Sequence, residues 1–398
     1  MSFLLKRFFV VIFLFFVILK PFKVWGHDNE YIDRFDPILK FADETFPELV
    51  LSSRALGTGN AYSARVDDGM SAFYNPAGLG SVRWIRIHPV SGSVESSEDL
   101  SEASTLQDGS GGWKMFRKGL SLDGMRAVAR ENREKLLYTR TMIHPHFTWR
   151  YLSAGYYFSR RIMAYAEKNT DITDTAANFD TAFRRDRGVF GAMNLSFFGG
   201  VIKVGASAMG VDRKEIYGTL PINIQTGETK VVVPETQVKA GKMTNIIVGG
   251  RITLPITFLP TFSGVLHNAA NSKFWNQHGN QAPGFLPDPI EQQIDVGFSF
   301  SPQVAKMVRF HFEGNYKDVG GAHSHVSSDK KWTAGIEMDV ARVFFMRAGY
   351  GARNASGSIG LRTRWFVLEL TTYGADVMVR DHVNVHNRRY LGHFAMGF

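Results

Sequence analysis

The side chains able to do covalent or metal chemistry are few in this chain and poorly grouped. Cysteine is absent from all 398 residues, which removes thiolate zinc sites, cysteine nucleophiles and disulfide staples together. His323-Ser324-His325 and the pair His382 and His386 come nearest to a metal site. Each lies in a polar, turn-like stretch with no third ligand beside it, so neither a metal nor any other cofactor is expected. Asp67 and Asp68 are adjacent carboxylates, and Arg54 and Arg65 stand close by in sequence. Ion pairing accounts for these four more simply than an acid–base dyad does. Gly57-Thr58-Gly59 carries part of a dinucleotide fingerprint, with no βαβ unit around it. Neither a nucleophile elbow nor a catalytic triad can be picked out. The chain does not read as an enzyme.

A different set of charges recurs with a period. Arg251, Arg309, Arg347, Arg362 and Arg364 stand opposite apolar residues in alternating runs, which places them on one face of β-strands. Val308, Phe310, Phe312, Gly314 and Tyr316 face one way, and Arg309, His311, Glu313 and Asn315 the other. Trp332, Ala334, Ile336, Met338 and Val340 oppose Thr333, Gly335, Glu337 and Asp339. Ile246, Val248, Gly250, Ile252 and Leu254 oppose Ile247, Gly249, Arg251 and Thr253, and Ile294, Val296, Phe298 and Phe300 oppose Asp295, Gly297 and Ser299. Phe147, Trp149, Tyr151 and Tyr157 read as one apolar face opposite Arg150. Ile359, Leu361, Thr363 and Trp365 oppose Gly360, Arg362 and Arg364, after which the apolar face changes sides. A β-bulge near Trp365 is expected to reset that register.

Soluble sandwiches alternate too, so other features must decide. The better runs extend over about 9 to 11 residues, the reach of a tilted membrane strand, whereas sandwich strands average about five or six. Whole charges and glycines on the polar face suit a wet lumen, and aromatics near strand ends suit an interfacial girdle. The expectation is an all-β, outer-membrane transmembrane barrel. Its lumen charges are the five arginines, with Asp67, Asp68, Asp295, Glu313, Glu337 and Asp339 as available acids.

Composition agrees. Hydrophobic residues make up 44% of the chain, too many for disorder. A mean hydropathy of −0.13 is too polar for a bundle of membrane helices but ordinary for a barrel. Lys6 and Arg7 precede an unbroken apolar run from Phe8 to Leu19, and Val24-Trp25-Gly26 offers a cleavage site before His27. Residues 1–26 therefore read as a signal peptide; twelve apolar residues reach only about 18 Å, against the roughly 30 Å of a bilayer core. The formal charge is +9, but four of the cations (Lys6, Arg7, Lys20 and Lys23) belong to this leader. The remaining excess does not point to nucleic acid. At the other end Tyr390, Phe394, Met396 and Phe398 share one face, with Gly392 between them. An alternating last strand ending in an aromatic is expected to be read by the outer-membrane assembly machinery.

Residues 53–80 are rich in small side chains and do not alternate. Asn75-Pro76-Ala77-Gly78 fits a type I turn: Asn accepts from the turn backbone, Pro presets φ and Gly closes. The stretch from Arg54 to Leu79, with Gly57-Thr58-Gly59-Asn60-Ala61-Tyr62, Asp67-Asp68 and Asn75-Pro76-Ala77-Gly78-Leu79, resembles the N-terminal plug of the FadL/TodX outer-membrane transporter superfamily. It looks closest to the branch that includes PorV-like envelope proteins. Leu259-Pro260-Thr261-Phe262, the run from Gln293 to Pro302, and Arg347-Ala348-Gly349-Tyr350 are similar in kind, though only the plug motif is specific. The resemblance implies a barrel of about 14 antiparallel strands closed by an N-terminal hatch. It also implies passive uptake of hydrophobic compounds such as long-chain fatty acids, with a hatch role for Asn75, Pro76, Ala77 and Gly78. Arg54, Asp67 and Asp68 would be charge partners within that hatch. A second reading is a PorV-like docking or assembly barrel for secretion that conducts nothing.

The chain thus divides into a leader (1–26), a hatch (27–84) and a barrel (85–398). Within the barrel, 99–140 switches to a helical period. Ser121 would cap a helix with Leu122, Met125, Val128 or Ala129, and Leu136 on one side, and Arg126, Arg130, Arg133 and Lys135 on the other. The basic side could meet lipopolysaccharide phosphates; a solvated helix over the barrel mouth is the plainer reading.

Overall fold

A computed structural model describes residues 39, 49–103, 113–166, 179–219, 222–223, 230–231, 238–275, 286–324, 326–379 and 383–397. The expected signal peptide, all of the expected hatch before residue 49 except Leu39, and His325, His382 and Phe398 lie outside these described residues.

Fourteen strands follow one another as antiparallel neighbours. The first two are each broken by a proline, which has no N–H to give to a ladder: β1 runs Arg86–His88 and Val90–Ser97 around Pro89, and β2 runs Leu137–Ile143 and His146–Thr148 around Pro145. Then come β3 (Leu152–Ala166), β4 (Phe179–Phe197), β5 (Ile202–Thr219), β6 (Val238–Thr253), β7 (Thr261–His267), β8 (Gln293–Phe300) and β9 (Val308–Tyr316). The series ends with β10 (Trp332–Val340), β11 (Phe344–Gly351), β12 (Asn354–Arg362), β13 (Phe366–Val379) and β14 (Val383–Met396). The last strand pairs with the first, from Met396↔Val90 to Arg389↔Ser97. The sheet therefore closes and leaves no edge, as a β-structure crossing a bilayer must.

Tight turns join the strands at the end where β1 begins and β14 stops. At the opposite end the connections are long, except for the hairpin at Ala352-Arg353 and the short step from Val379 to Val383. Val189, Leu195, Ile359 and Leu370 point outward and are exposed. Trp149, Phe198 and Trp365 ring the short-turn end, and Trp275, Tyr350 and Tyr390 lie toward the other. An apolar belt between aromatic girdles is the outer surface of a transmembrane barrel.

Three local expectations change. The face switch at Trp365 is a reversal rather than a bulge. Thr363-Arg364-Trp365 is the turn between β12 and β13, and Thr363 Oγ1 accepts from the Trp365 and Phe366 amides at 3.3 and 3.1 Å. A chain that turns back starts a new alternation, so in sequence the apolar residues switch parity there. For the same reason the face read through Phe147, Trp149, Tyr151 and Tyr157 is not one strand. Residues 149–151 form a turn, and Tyr157 points into the lumen, where its hydroxyl donates to Gly210 O at 2.7 Å.

The third concerns 99–140, which folds as α3 (Glu98–Glu102), α4 (Trp113–Gly119) and α5 (Leu122–Glu131). Ser121 caps α5 by accepting from the Gly124 amide at 3.1 Å, but the helix stops before Arg133, Lys135 and Leu136. It does not lie over the mouth. Leu100, Met125, Val128 and Ala129 pack on Leu137, Ile162 and Ala164, which face outward from β2 and β3. Arg126 is buried rather than solvated, and the Arg130 side chain lies outside the described part.

Candidate functional site

The lumen holds residues 49–82. Ser52 caps α1 (Ser53–Gly57) by accepting from the Ala55 amide. After a second short helix, α2 (Ser71–Tyr74), the Asn75 side chain accepts from the Ala77 amide at 3.1 Å. The Gly78 amide then closes onto Asn75 O at 2.9 Å. The expected single turn is the first of a 3₁₀ helix, Pro76–Ser81: Pro76 fixes φ and the i→i+3 bonding continues past Gly78. Asn75 Nδ2 donates to Ser63 O at 2.9 Å, tying the two halves of the segment together.

One side of the lumen grips this segment with charge. Glu337, on β10, is fully buried and accepts from three arginines. Arg54 approaches bidentately, with Nε and Nη2 each at 2.9 Å. Arg65 Nη1 lies at 2.5 Å and Arg347 Nε at 2.6 Å. Arg347 also reaches Glu369 at 3.0 Å. Arg54 Nη1 donates to Asp67 at 2.5 Å and to the Tyr62 hydroxyl at 3.0 Å, and Tyr62 donates to Asp68 at 2.6 Å. Burial alone would raise the Asp67 carboxyl, but Arg54, with Arg362, Arg86 and Arg65 behind it, outweighs burial and holds the group below the usual carboxylate range. The Ala64 amide donates to Glu313 at 2.7 Å, and Arg251 Nη1 to Val66 O at 3.1 Å.

Close backbone approach completes the contact. A Cβ at Gly335 or Gly349 would overlap Thr58, and one at Gly205 or Gly249 would overlap Pro76 or Asn75. These inward glycines make room for the segment rather than for water.

The other side of the lumen is largely apolar, although Ser207 Oγ donates to Ala72 O at 2.7 Å and Arg251, on β6, to Val66 O. Phe190, Met209, Val211, Met243, Ile247 and Val265 point inward from β4 to β7 and form one buried cluster with Val66, Phe73 and Leu79 of the segment. Phe73 meets Phe190 edge-on at 4.8 Å. The cluster reaches Phe274 in a long connection, so an apolar column runs from the loop end down to the Pro76 helix.

Arg54, Asp67, Asp68 and Arg347 thus converge on one face of the segment, while Arg251 reaches Val66 from β6. Arg309 shares the inward parity but sits beside a short turn, bonded to Gln303 at 3.4 Å. Arg362 stacks on Phe345 at 4.9 Å, and Arg364 is exposed in its turn over Trp365 at 5.1 Å. Tyr390, Phe394 and Met396 are exposed on the outer face of β14.

Sequence reasoning missed Arg140, Arg161, Arg184, Arg213 and Arg389, which are nearly inaccessible inside the barrel. Arg213 Nε binds Asp186 at 2.7 Å, Arg184 pairs with Glu215, and Arg140 Nη2 donates to Leu49 O at 3.1 Å. For the first four the signal was the alternation of β2 to β5, which the misjudged turn at 149–151 obscured; Arg389 lies on β14. Also missed were four imidazoles, His88, His144, His146 and His393, that stack near the short-turn end.

No family model and no curated protein matches the chain. Among solved structures it is similar to the CymD monoaromatic hydrocarbon channel, at 11% identity and TM-score 0.47, over 86% of this chain and 96% of that one. It is also similar to the toluene transporter TbuX of Ralstonia pickettii, at 13% identity and TM-score 0.45, over 87% and 98%. A third is a FadL homologue of Pseudomonas aeruginosa, at 10% identity and TM-score 0.42, over 88% and 98%.

Proposed function

We propose that the chain is a passive outer-membrane conduit for hydrophobic small molecules, long-chain fatty acids among them, with residues 49–82 as the moving part of its hatch. The observation that carries this reading is the apolar column along β4 to β7. A platform that only docked partners would have no use for buried Phe190, Met209 and Met243 lined up from the loops to the Pro76 helix. The two sides of the lumen also hold the segment differently. Ion pairs and hydrogen bonds to β9–β13 are directional and costly to break. The wall of β4–β7 makes no ion pair with the segment among the described residues; beside a few hydrogen bonds such as Ser207 Oγ to Ala72 O, its contacts are apolar and non-directional, and a hydrophobic passenger can replace those as it enters. The segment would then stay anchored at Glu337 while its Phe73 face lifts from the wall.

In this reading the leader directs export and Gly26 ends it. The aromatic last strand engages the assembly machinery, and the basic loop residues meet lipopolysaccharide.

The test is uptake of labelled toluene and oleate by a Gram-negative host without its own hydrocarbon channels. Met209→Lys places a charge in the column. Uptake should fall about tenfold, the loss matching one buried apolar side chain, at equal amounts of heat-modifiable protein. Wild-type uptake no better than an empty vector for either tracer would favour the docking alternative.

A further inference from the structure

At the short-turn end, between the segment and the wall, lies a cavity of about 490 Å³. Its charged lining holds three arginines, Arg86, Arg362 and Arg364, against two acids, Asp68 and Glu369. His88, His144, His146 and His393 surround it together with Arg86 and Arg362. The rings of His88 and His146 are 4.7 Å apart, those of His144 and His146 5.4 Å, and those of His144 and His393 5.6 Å.

The acids that border this cavity are already engaged. Asp68 accepts from the Tyr62 hydroxyl at 2.6 Å and the Met70 amide at 2.9 Å, and Glu369 is held by Arg347 at 3.0 Å. Arg86 and Arg362 form no ion pair among the described residues. Nor are the imidazoles spent. His146 Nδ1 donates to His144 O at 2.9 Å and His144 Nε2 meets Ser91 Oγ at 3.0 Å, but the buried Nδ1 atoms of His88 and His144 have no partner. His144 is only 2% exposed. Among the described residues, no group of three or more His, Asp or Glu is placed to hold a metal ion, so ligation does not explain the stack. Arg86 and Arg362 feel Asp67, Asp68 and Glu369 only at longer range, and the buried imidazole nitrogens lack partners, so an entering anion would gain direct contacts.

We propose that this cavity binds a small organic carboxylate, its oxygens held by Arg86 and Arg362 beside the histidine stack. Guanidinium forks suit a planar carboxylate. Trp84, Ile85 and Val367 also line the cavity and give an attached alkyl chain an apolar surface, so the ligand is amphipathic. The proposal rests on the conduit reading only in taking this carboxylate to be the head of a passenger; binding itself needs no transport. Gly69 of the segment lies against His146, where any Cβ would overlap the ring. An occupant here therefore touches the floor of the hatch.

The probes are radiolabelled octanoate and 1-octanol, dialysed against the full chain in non-ionic detergent, with empty micelles as the blank. Wild type should bind octanoate. The double variant Arg86→Gln, Arg362→Gln should weaken it at least about tenfold, the scale of one lost charged hydrogen bond, and leave octanol binding unchanged. Equal octanoate binding by wild type and variant overturns the proposal, as does an equal loss of octanol. A measurement on wild type alone guards against a variant that does not assemble: octanoate should protect Arg86 and Arg362 from phenylglyoxal, read by mass spectrometry. Absence of protection, or equal protection by orthophosphate, also overturns it. Failure of toluene uptake would count against the conduit and leave these binding results standing.

Discussion

Glu337 is the residue on which the docking of the lumenal segment turns. Three guanidiniums converge on its two oxygens, and two of them, Arg54 and Arg65, belong to the segment. A buried pair of this kind adds little over an apolar isostere, but removing one partner strands the others. Glu337→Gln keeps the shape and removes the charge. It should loosen the segment by about 3 kcal/mol while β10 keeps its pairing, because the strand ladders do not involve this side chain. Hydrogen exchange should rise across 49–82 and stay unchanged in β9–β11. Unchanged exchange in the segment would show that Glu337 does not hold it. This network was legible in sequence only in part. Alternation puts Glu337 and Arg347 on the inward face, and the adjacent Asp67 and Asp68 read as ion-pair partners for Arg54, but no spacing rule links residues 54 and 337.

At the scale of elements, the strands followed from alternation wherever the outward face was apolar throughout, as in β8, β9 and β10. The family resemblance implied 14 of them, the number observed. Two errors shared one cause. Trp149-Arg150-Tyr151 and Thr363-Arg364-Trp365 are turns without glycine or proline, rich instead in the aromatics of the girdle, and they read as strand. Ala352-Arg353 is a sharper case. Both residues have positive φ, +49° and +66°, in a two-residue hairpin between Gly351 and Asn354. That is the geometry of a type I′ turn, which favours Asn-Gly, and a left-handed alanine or arginine is strained. Replacing Ala352 with Asn and Arg353 with Gly should stabilise the barrel by about 1 kcal/mol, seen as a higher urea midpoint in lipid vesicles. A midpoint unchanged or lowered would mean that the surrounding loop imposes the conformation. The inward glycines carried a message that alternation could not separate: Gly335 and Gly349 looked like features of a wet lumen, yet they are seats for the Thr58 backbone.

For the whole molecule, the central claim is that a hydrophobic passenger crosses only when the segment shifts away from the wall. The chain itself offers a clean way to hold it still. With no cysteine anywhere, an engineered pair has no competitor. Ser53 Oγ and Thr371 Oγ1, one on α1 and one on β13, are 2.6 Å apart, close enough for sulfurs in their places to join. A tether there, together with a second between Ser63 and Ser263, whose hydroxyls are 3.1 Å apart, would pin the segment on both sides. The decisive measurement is toluene uptake by cells carrying this four-cysteine variant, oxidised and then reduced. The account predicts uptake near the empty-vector level when both bridges are closed, and recovery to wild-type rates on reduction. Full uptake through the fully oxidised protein would contradict it.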